Sequence, residues 1–405
     1  MNKFLVLFLL AFSLSIYDIH AECADSLALT PPMGWSSWNC FNSDISEQKI
    51  REIADFMVST GMKDAGYEYL NIDDCWQIGR DEDGNIIVDD KNFPSGMKAL
   101  ADYVHSKGLK FGIYSCAGTM TCAGRPGSFG YEFQDARTYA SWGVDYLKYD
   151  WCNNEGRNAQ AAYKIMSDAL KKSGRPIILS ICEWGHSKPW TWGQGIGQLW
   201  RTTHDIISVF SGTIHWGALG IVEIIDQNAE LYKYSGPGHW NDPDMLQVGN
   251  PGLSMEENRS HFTMWCMLAA PLMAGNDIRK MDKEVAKILM NKEVIAVDQD
   301  RLGKQGRRYK VFGKNEIWVK QLSGDEIAVC LFNRDDHFSW NLDIDWQKED
   351  FSLVGVNLTE KKYKVRDLWK QKDLGTAADK MSFDVPVHGV VLLRLTPENL
   401  DIVGN

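Results

Sequence analysis

From about residue 30 to residue 290 the chain alternates short apolar runs of strand length with amphipathic stretches of helical period, roughly eight times in succession. A helix after each strand returns the chain to begin the next strand in the same direction. The pattern therefore demands a parallel sheet with helices on its outside. Eight repeats in a span of this size match a closed (β/α)8, or TIM, barrel of the α/β class. The strand-like runs are 33–39, 67–74, 110–116, 144–150, 176–184, 199–206, 240–248 and 271–277. Between and after them, 46–60, 95–107, 131–142, 159–172, 217–228, 256–270 and 282–290 read as helices. The first places Ile50, Ile53, Phe56 and Met57 on one face, and the second does the same with Met97, Leu100 and Val104.

After about residue 305 the texture changes. KVFGKNEIWVKQL, EIAVCLFNR, FSLVGV, YKVRDLW and HGVVLLRL are strand-patterned runs separated by turn residues, with no helical pattern between them. They predict a C-terminal antiparallel β-sandwich over 305–405, appended to a barrel over 22–304. The sandwich carries no dense acid cluster, so the chemistry is assigned to the barrel and the sandwich is expected to brace it.

The first 21 residues have the form of a signal peptide: Lys3, an apolar run over 4–16, and Ala21 as the small residue before cleavage. That run is too short to span a bilayer, and no later stretch is long and apolar enough to be a membrane helix. The expected location is therefore exported, periplasmic or secreted. Nine cysteines in an exported chain predict disulfides, with at least one thiol left over from the odd count. Cys122 and Cys152 flank one strand end and are the leading candidate bridge, whereas Cys182 and Cys266 lie in apolar segments that suit buried thiols. No Cys/His spacing suits zinc, and neither a metal nor a cofactor is expected. A net charge of −11 argues against a nucleic-acid partner. Sixteen tryptophans offer flat faces of the kind sugars stack on, although most tryptophans in any protein are core.

In a (β/α)8 barrel the chemistry sits at the C-terminal ends of the strands. Asp73, Asp74, Cys116, Asp150, Glu183, Asp205, Asp244 and Asp277 all fall there. Helix capping accounts for one or two acids at such ends, not for the whole set. In YLKYDWC, strand alternation puts Lys148 and Asp150 on one face, so the ammonium is expected to keep the carboxylate ionised, as a nucleophile requires. Asp205 closes the run RTTHD, with Arg201 four residues earlier expected on the same face. Two acids on facing strand ends are the minimum for glycoside hydrolysis, and in retaining enzymes they stand about 5–5.5 Å apart. The remaining polar set, Asp73, Asp74, Lys148, Glu183, Arg201 and Asp244, suits hydrogen bonding to sugar hydroxyls, with Trp35 as a stacking wall.

The segments PPMGWSSWN, YLNIDDCW, FGIYSCAG, TCAGRPGSFGYE, VDYLKYDWC, CEWG, WRTTHDI, GPGHWNDPDML and MWCMLAAPLMAGNDI run in order over 30–278. In this set the chain resembles glycoside hydrolase family 27, the α-galactosidase family. The resemblance implies an exo-acting enzyme that removes terminal α-D-galactosyl residues from oligo- or polysaccharides by retaining double displacement. It implies Asp150 as nucleophile and Asp205 as acid/base. Asp73 and Asp74 would hold the 4- and 6-hydroxyls, Lys148 the 3- and 4-hydroxyls, and Glu183 and Arg201 the 2- and 3-hydroxyls. Asp244 would sit near the 2-hydroxyl, while Trp35, Tyr114 and Met245 line the pocket. Cys122 and Cys152 align with a family disulfide, and α-galactoside substrates are the implied partners.

Other branches of the family act on N-acetylgalactosamine or β-L-arabinopyranose. Glu183 is expected to fill the room an acetamido group needs, and Asp73 to keep open the room for a 6-hydroxymethyl, so both favour unmodified galactose. A catalytically inactive sugar-binding barrel would have no need of both acids. The chain departs from the family pattern at Cys40, which leaves a Cys40–Cys75 bridge in doubt. It departs again at Cys116, which either pairs or stays a free thiol. His204 stands where a small residue is usual; it either lowers the pKa of the acid when charged or packs, and packing is favoured. His239 is given a structural role.

Overall fold

The structure, a computed structural model, describes residues 27–358 and 360–398. The signal-peptide reading of 1–21 and the pairing of Cys23 lie outside these residues.

Ten strands precede the C-terminal layer: β1 (Met33–Ser36), β2 (Tyr69–Asn71), β3 (Gln77–Arg80), β4 (Ile86–Val88), β5 (Lys110–Cys116), β6 (Tyr146–Asp150), β7 (Ile178–Cys182), β8 (Leu199–Arg201), β9 (Trp240–Asp242) and β10 (Leu272–Ala274). Eight of them form one parallel sheet in the order β10-β1-β2-β5-β6-β7-β8-β9, and a bridge between Leu246 and Ala274 joins its two ends. Helices lie between the strands as the apolar spacing requires. Glu47–Ser59 buries Ile50, Ile53 and Met57, and Ala159–Lys172 buries Tyr163, Met166 and Leu170. The Ser46 hydroxyl and the Asn158 amide oxygen cap these two helices by accepting from the backbone N–H groups of Lys49 and Ala161.

Three differences from the sequence expectations matter for the site. β3 and β4 form an antiparallel hairpin that the alternation did not mark. β8 ends at Arg201 instead of continuing to residue 206, so Asp205 stands on a loop. β9 ends at Asp242 because Pro243 has no N–H to continue the ladder, and Asp244 then turns left-handed at φ 86°.

The C-terminal layer contains β11 (Arg307–Phe312), β12 (Asn315–Gln321), β13 (Ile327–Asn333), β14 (Trp340–Asp345), β15 (Tyr363–Asp367), β16 (Lys372–Thr376), β17 (Lys380–Val385) and β18 (Val390–Pro397). Six of these make an antiparallel sheet ordered β11-β12-β13-β18-β15-β16, faced by the pair β14-β17. FSLVGV, expected as a strand, instead contains a 3-10 turn at Ser352–Val354. The sandwich sits against the barrel helix Met255–Leu268. There the Trp369 indole donates to Thr263 Oγ1 at 2.9 Å, and the buried Lys320 ammonium donates to the Cys266 carbonyl at 2.7 Å. No helix among the described residues is long and apolar enough to cross a membrane.

Candidate active site

Parallel strands in register carry their inward side chains to one end of the barrel. Asp150, at the end of β6, pairs in register with Cys116 of β5 and Cys182 of β7. Above them opens a cavity of about 710 Å³, lined among others by Trp38, Asp73, Asp74, Tyr114, Cys122, Lys148, Asp150, Trp184, Arg201, Asp205, Asp244 and Met245. Ten of the residues given a role by the family resemblance thus share one concave surface.

Asp150 is buried and fully engaged. Its Oδ2 accepts from the Tyr114 hydroxyl at 2.9 Å, and its Oδ1 accepts from the Trp151 N–H at 2.8 Å. Tyr114 is itself held by its backbone, whose carbonyl accepts from the Trp76 indole at 2.8 Å. Burial pushes the Asp150 carboxyl up to about 6, against the downward pull of Lys148. Lys148 thus favours the ionised form of Asp150, as expected, but does not hold its pKa in the ordinary carboxylate range. Its ammonium lowers the Asp150 pKa, but its salt bridge, at 2.8 Å, is to Asp73 Oδ2.

Asp73 and Asp74 are fixed from below. The Asp73 N–H donates to Ser37 Oγ at 2.9 Å, while Asp74 accepts from the N–H groups of Cys75 at 2.7 Å and Ala123 at 3.0 Å. Burial raises the Asp74 carboxyl above its usual range despite these two bonds.

Arg201 links two acids. Its Nη2 lies 3.0 Å from Asp205 Oδ1 and 2.9 Å from Asp244 Oδ2. The Asp205 side chain is 48 % exposed, whereas Arg201 is 3 % exposed. Burial, with Asp205 and Asp242 close by, pushes Asp244 up to about 6 against the pull of Arg201. On Asp205 the balance is reversed: burial raises it, but Arg201, Lys148 and His204 together hold it below the usual carboxylate range. Asp244 owes its position to the left-handed turn after Pro243, where its Oδ1 accepts from the Met245 N–H and its Oδ2 from the Ile206 N–H, both at 2.8 Å. Cys75 and Trp184 also adopt positive φ at this rim. Such residues carry strain of about 1–3 kcal/mol each, which the surrounding packing must offset.

Cys122 and Cys152 form a disulfide with Cα atoms 5.1 Å apart, and the Tyr114 hydroxyl lies 3.4 Å from the Cys122 sulfur. Cys116 is a free, buried thiol that donates to the Cys152 carbonyl at 3.0 Å. Cys40 and Cys75 are not bridged to each other; both are free thiols. His239 sits 3.1 Å from the Pro237 carbonyl and does not line the cavity. His204 stacks edge-on against His186 with ring centres 4.8 Å apart.

Two expected pocket residues fall outside it. Trp35 has no solvent exposure; its indole donates inside the core to the Asn276 carbonyl at 2.8 Å. Glu183 is likewise unexposed, with Oε2 accepting from the Ser187 N–H at 2.7 Å, and burial pushes its carboxyl up to about 7. Both fail for one reason: strand neighbours point to opposite faces. Ser36 and Cys182 face the barrel interior, so Trp35 and Glu183 face away from it. The wall expected of Trp35 comes from Trp38 and Trp184 instead, and the contact with the 2- and 3-hydroxyls expected of Glu183 has no counterpart on the cavity lining. Counting in twos from Asp150 across the register to Cys182 would have found Trp184. Trp38 lies on the short helix Trp38–Phe41, and strand parity carries no information about it.

Residues 30–300 match the family model described as Alpha galactosidase A, and residues 312–395 match that of the Alpha galactosidase C-terminal beta sandwich domain. The chain is 48% identical over 407 residues to the alpha-galactosidase A of Cellvibrio japonicus, covering 98% of this chain and 100% of that protein. Alpha-galactosidase I from Mortierella vinacea superposes with a TM-score of 0.88 at 38% identity, over 92% of this chain and 98% of that one. An alpha-galactosidase from Saccharomyces cerevisiae, solved with raffinose, superposes with a TM-score of 0.87 at 30% identity, over 93% and 99% of the two chains. Motifs, barrel, appended sandwich and these near full-length matches agree, and the chain belongs to the α-galactosidase A family.

Proposed function

We propose that this chain is a retaining α-galactosidase that removes terminal, non-reducing α-D-galactosyl residues from oligo- or polysaccharides. The observation that carries the reading is the meeting of Asp150 and Asp205 on one cavity, each with a different environment. Asp150 is buried, accepts two hydrogen bonds, and serves as nucleophile. Asp205 is half-exposed at the cavity mouth and serves as acid/base.

In the first step an Asp150 oxygen forms a bond to the anomeric carbon. The bond from that carbon to the glycosidic oxygen breaks, and Asp205 gives its proton to the departing oxygen. In the second step Asp205 takes a proton from water, the water oxygen bonds to the anomeric carbon, and Asp150 leaves as a carboxylate. Two inversions return the α configuration. Crowding of like charges lets Asp205 take up from solvent the proton it needs. Asp150, Asp205 and Asp244 lean on the same cations, Lys148 and Arg201, and a sugar filling the cavity strips water from the exposed carboxyl of Asp205, which raises its pKa. Once Asp150 is glycosylated its charge is gone, and Asp205 reverts to a base.

Asp73, Asp74, Lys148, Arg201 and Asp244 are assigned to the galactose hydroxyls, with the pair Asp73–Lys148 reading the axial 4-hydroxyl. Trp38, Tyr114, Trp184 and Met245 are assigned to the walls. Export, periplasmic or secreted, belongs to the same proposal and rests on the sequence of residues 1–21.

The test is a panel of nitrophenyl α-galactoside, α-N-acetylgalactosaminide and β-L-arabinopyranoside, with the first-formed sugar followed by proton NMR. We expect the α-galactoside to be turned over fastest and α-galactose to appear first. Initial release of the β anomer would overturn the retaining mechanism, and preference for either other sugar would overturn the substrate.

A further inference from the structure

Between β8 and the helix Ile221–Asn228 the chain makes a compact turn beside the acid/base candidate. Ile206 and Thr213 both pair with Leu219, and the Leu219 N–H donates to the carbonyl of Asp205 at 2.9 Å. Within the turn, the Ile214 N–H donates to the Ala218 carbonyl at 3.1 Å and the Gly217 N–H to the Ile214 carbonyl at 2.9 Å. Gly217 adopts φ 97°, and a Cβ there would lie 3.6 Å from His204 Nδ1, so the turn rests on that imidazole. His204 in turn leans on His186, and His186 stands edge-on to Trp184 with ring centres 5.5 Å apart. The tip is thus tied to the backbone of Asp205 on one side and supported by a row of rings on the other.

This turn presents Trp216, which is 53 % exposed and lines the catalytic cavity. An indole left half in water gains little stability from its position. Asp205 must reach the glycosidic oxygen, so the group leaving with that oxygen lies on the Asp205 side of the cavity. The Trp216 turn is hydrogen-bonded to that same residue.

On the strength of the α-galactosidase reading, we propose that Trp216 is the platform for the leaving-group sugar, a hexose ring stacking on its exposed indole face. His204 and His186 are positioning residues that hold the turn at its working height. Sequence patterning gave no sign of this, because Trp216 belongs to neither a strand nor a helix.

The experiment compares Trp216→Ala and Trp216→Phe in the full chain on two substrates. Raffinose carries a sugar as leaving group; α-galactosyl fluoride carries only fluorine, which cannot reach the indole. We expect kcat/KM of Trp216→Ala to fall about tenfold on raffinose, the scale of one lost aromatic contact, through a higher KM. The fluoride rate should be unchanged, and Trp216→Phe should recover most of the loss. Equal losses on both substrates, or no loss on raffinose, would overturn the platform. A wild-type chain that fails to hydrolyse α-galactosyl fluoride would instead overturn the galactosidase reading, and the inference with it.

Discussion

The Lys148 ammonium makes its salt bridge, at 2.8 Å, with the Asp73 carboxylate, although Asp150 stands two residues away on its own strand. Burial disfavours its charge, but Asp73, with Asp150 and Asp244 behind it, more than offsets this. One cation therefore does two jobs. It orders a carboxylate assigned to sugar hydroxyls, and without a hydrogen bond it restrains the pKa of Asp150, the proposed nucleophile.

The pH profile follows from that arrangement. Asp150 acts as a carboxylate and burial raises its pKa to about 6, so kcat/KM should fall as pH drops through 6, about tenfold per unit once Asp150 is mostly protonated. Lys148 lowers that pKa, so Lys148→Met should move the acid limb to higher pH as well as weakening substrate binding. A limb that stays in place in Lys148→Met would show that Asp150 does not set it.

Asp150→Asn removes the proposed nucleophile and should reduce turnover by about 10⁴-fold or more on every galactoside. Asp205→Ala removes the proposed proton donor and should cost about 10²–10⁴-fold on raffinose, yet far less on α-galactosyl fluoride, whose leaving group needs little protonation. Comparable losses on the two substrates would exclude Asp205 as the acid.

Glu183 separates the geometry from the family pattern. Its carboxyl is buried and faces away from the cavity, with Oε2 accepting from the Ser187 N–H. A glutamine keeps that acceptor, so Glu183→Gln should leave KM for α-galactosides unchanged. A several-fold rise in KM with unaltered thermal stability would place the side chain back against the sugar.

The Cys122–Cys152 bridge closes a loop with a sequence separation of 30 residues, so its loss should cost about 3–4 kcal/mol on chain-entropy grounds. Cys122 also touches the Tyr114 hydroxyl that hydrogen-bonds Asp150. Cys122→Ser should therefore lower both the unfolding temperature and kcat, as measured by thermal melts and initial rates with and without reductant. An unchanged kcat in folded protein would mean that Tyr114 does not depend on the bridge.

Much of the architecture was legible in the chain. The apolar periods marked eight parallel strands and most of the helices, because strand and helix faces repeat over a few residues and need no distant partner. The strand-end position of Asp73, Asp74, Asp150 and Arg201 followed from the same alternation. The sandwich was legible as a class but not strand by strand: β14, β16 and β17 carry mixed, half-exposed patterns. Parity within β1 and beyond β7 was present in the sequence, but which face is the barrel interior depends on register with Asp150 across neighbouring strands.

Sequence by itself determined the barrel, the order of its acids and the family to which the chain belongs, since these rest on local period and contiguous motifs. Tertiary structure decided which side chains meet. Closure of the sheet set Lys148 against Asp73, and the break at Pro243 brought Asp244 to Arg201. The loop after β8 carried Asp205 to the same guanidinium and raised Trp216 beside it. The Lys148–Asp73 and Arg201–Asp244 contacts join residues far apart along the chain, and Trp216 stands on a loop without periodicity, so only the folded geometry specifies them.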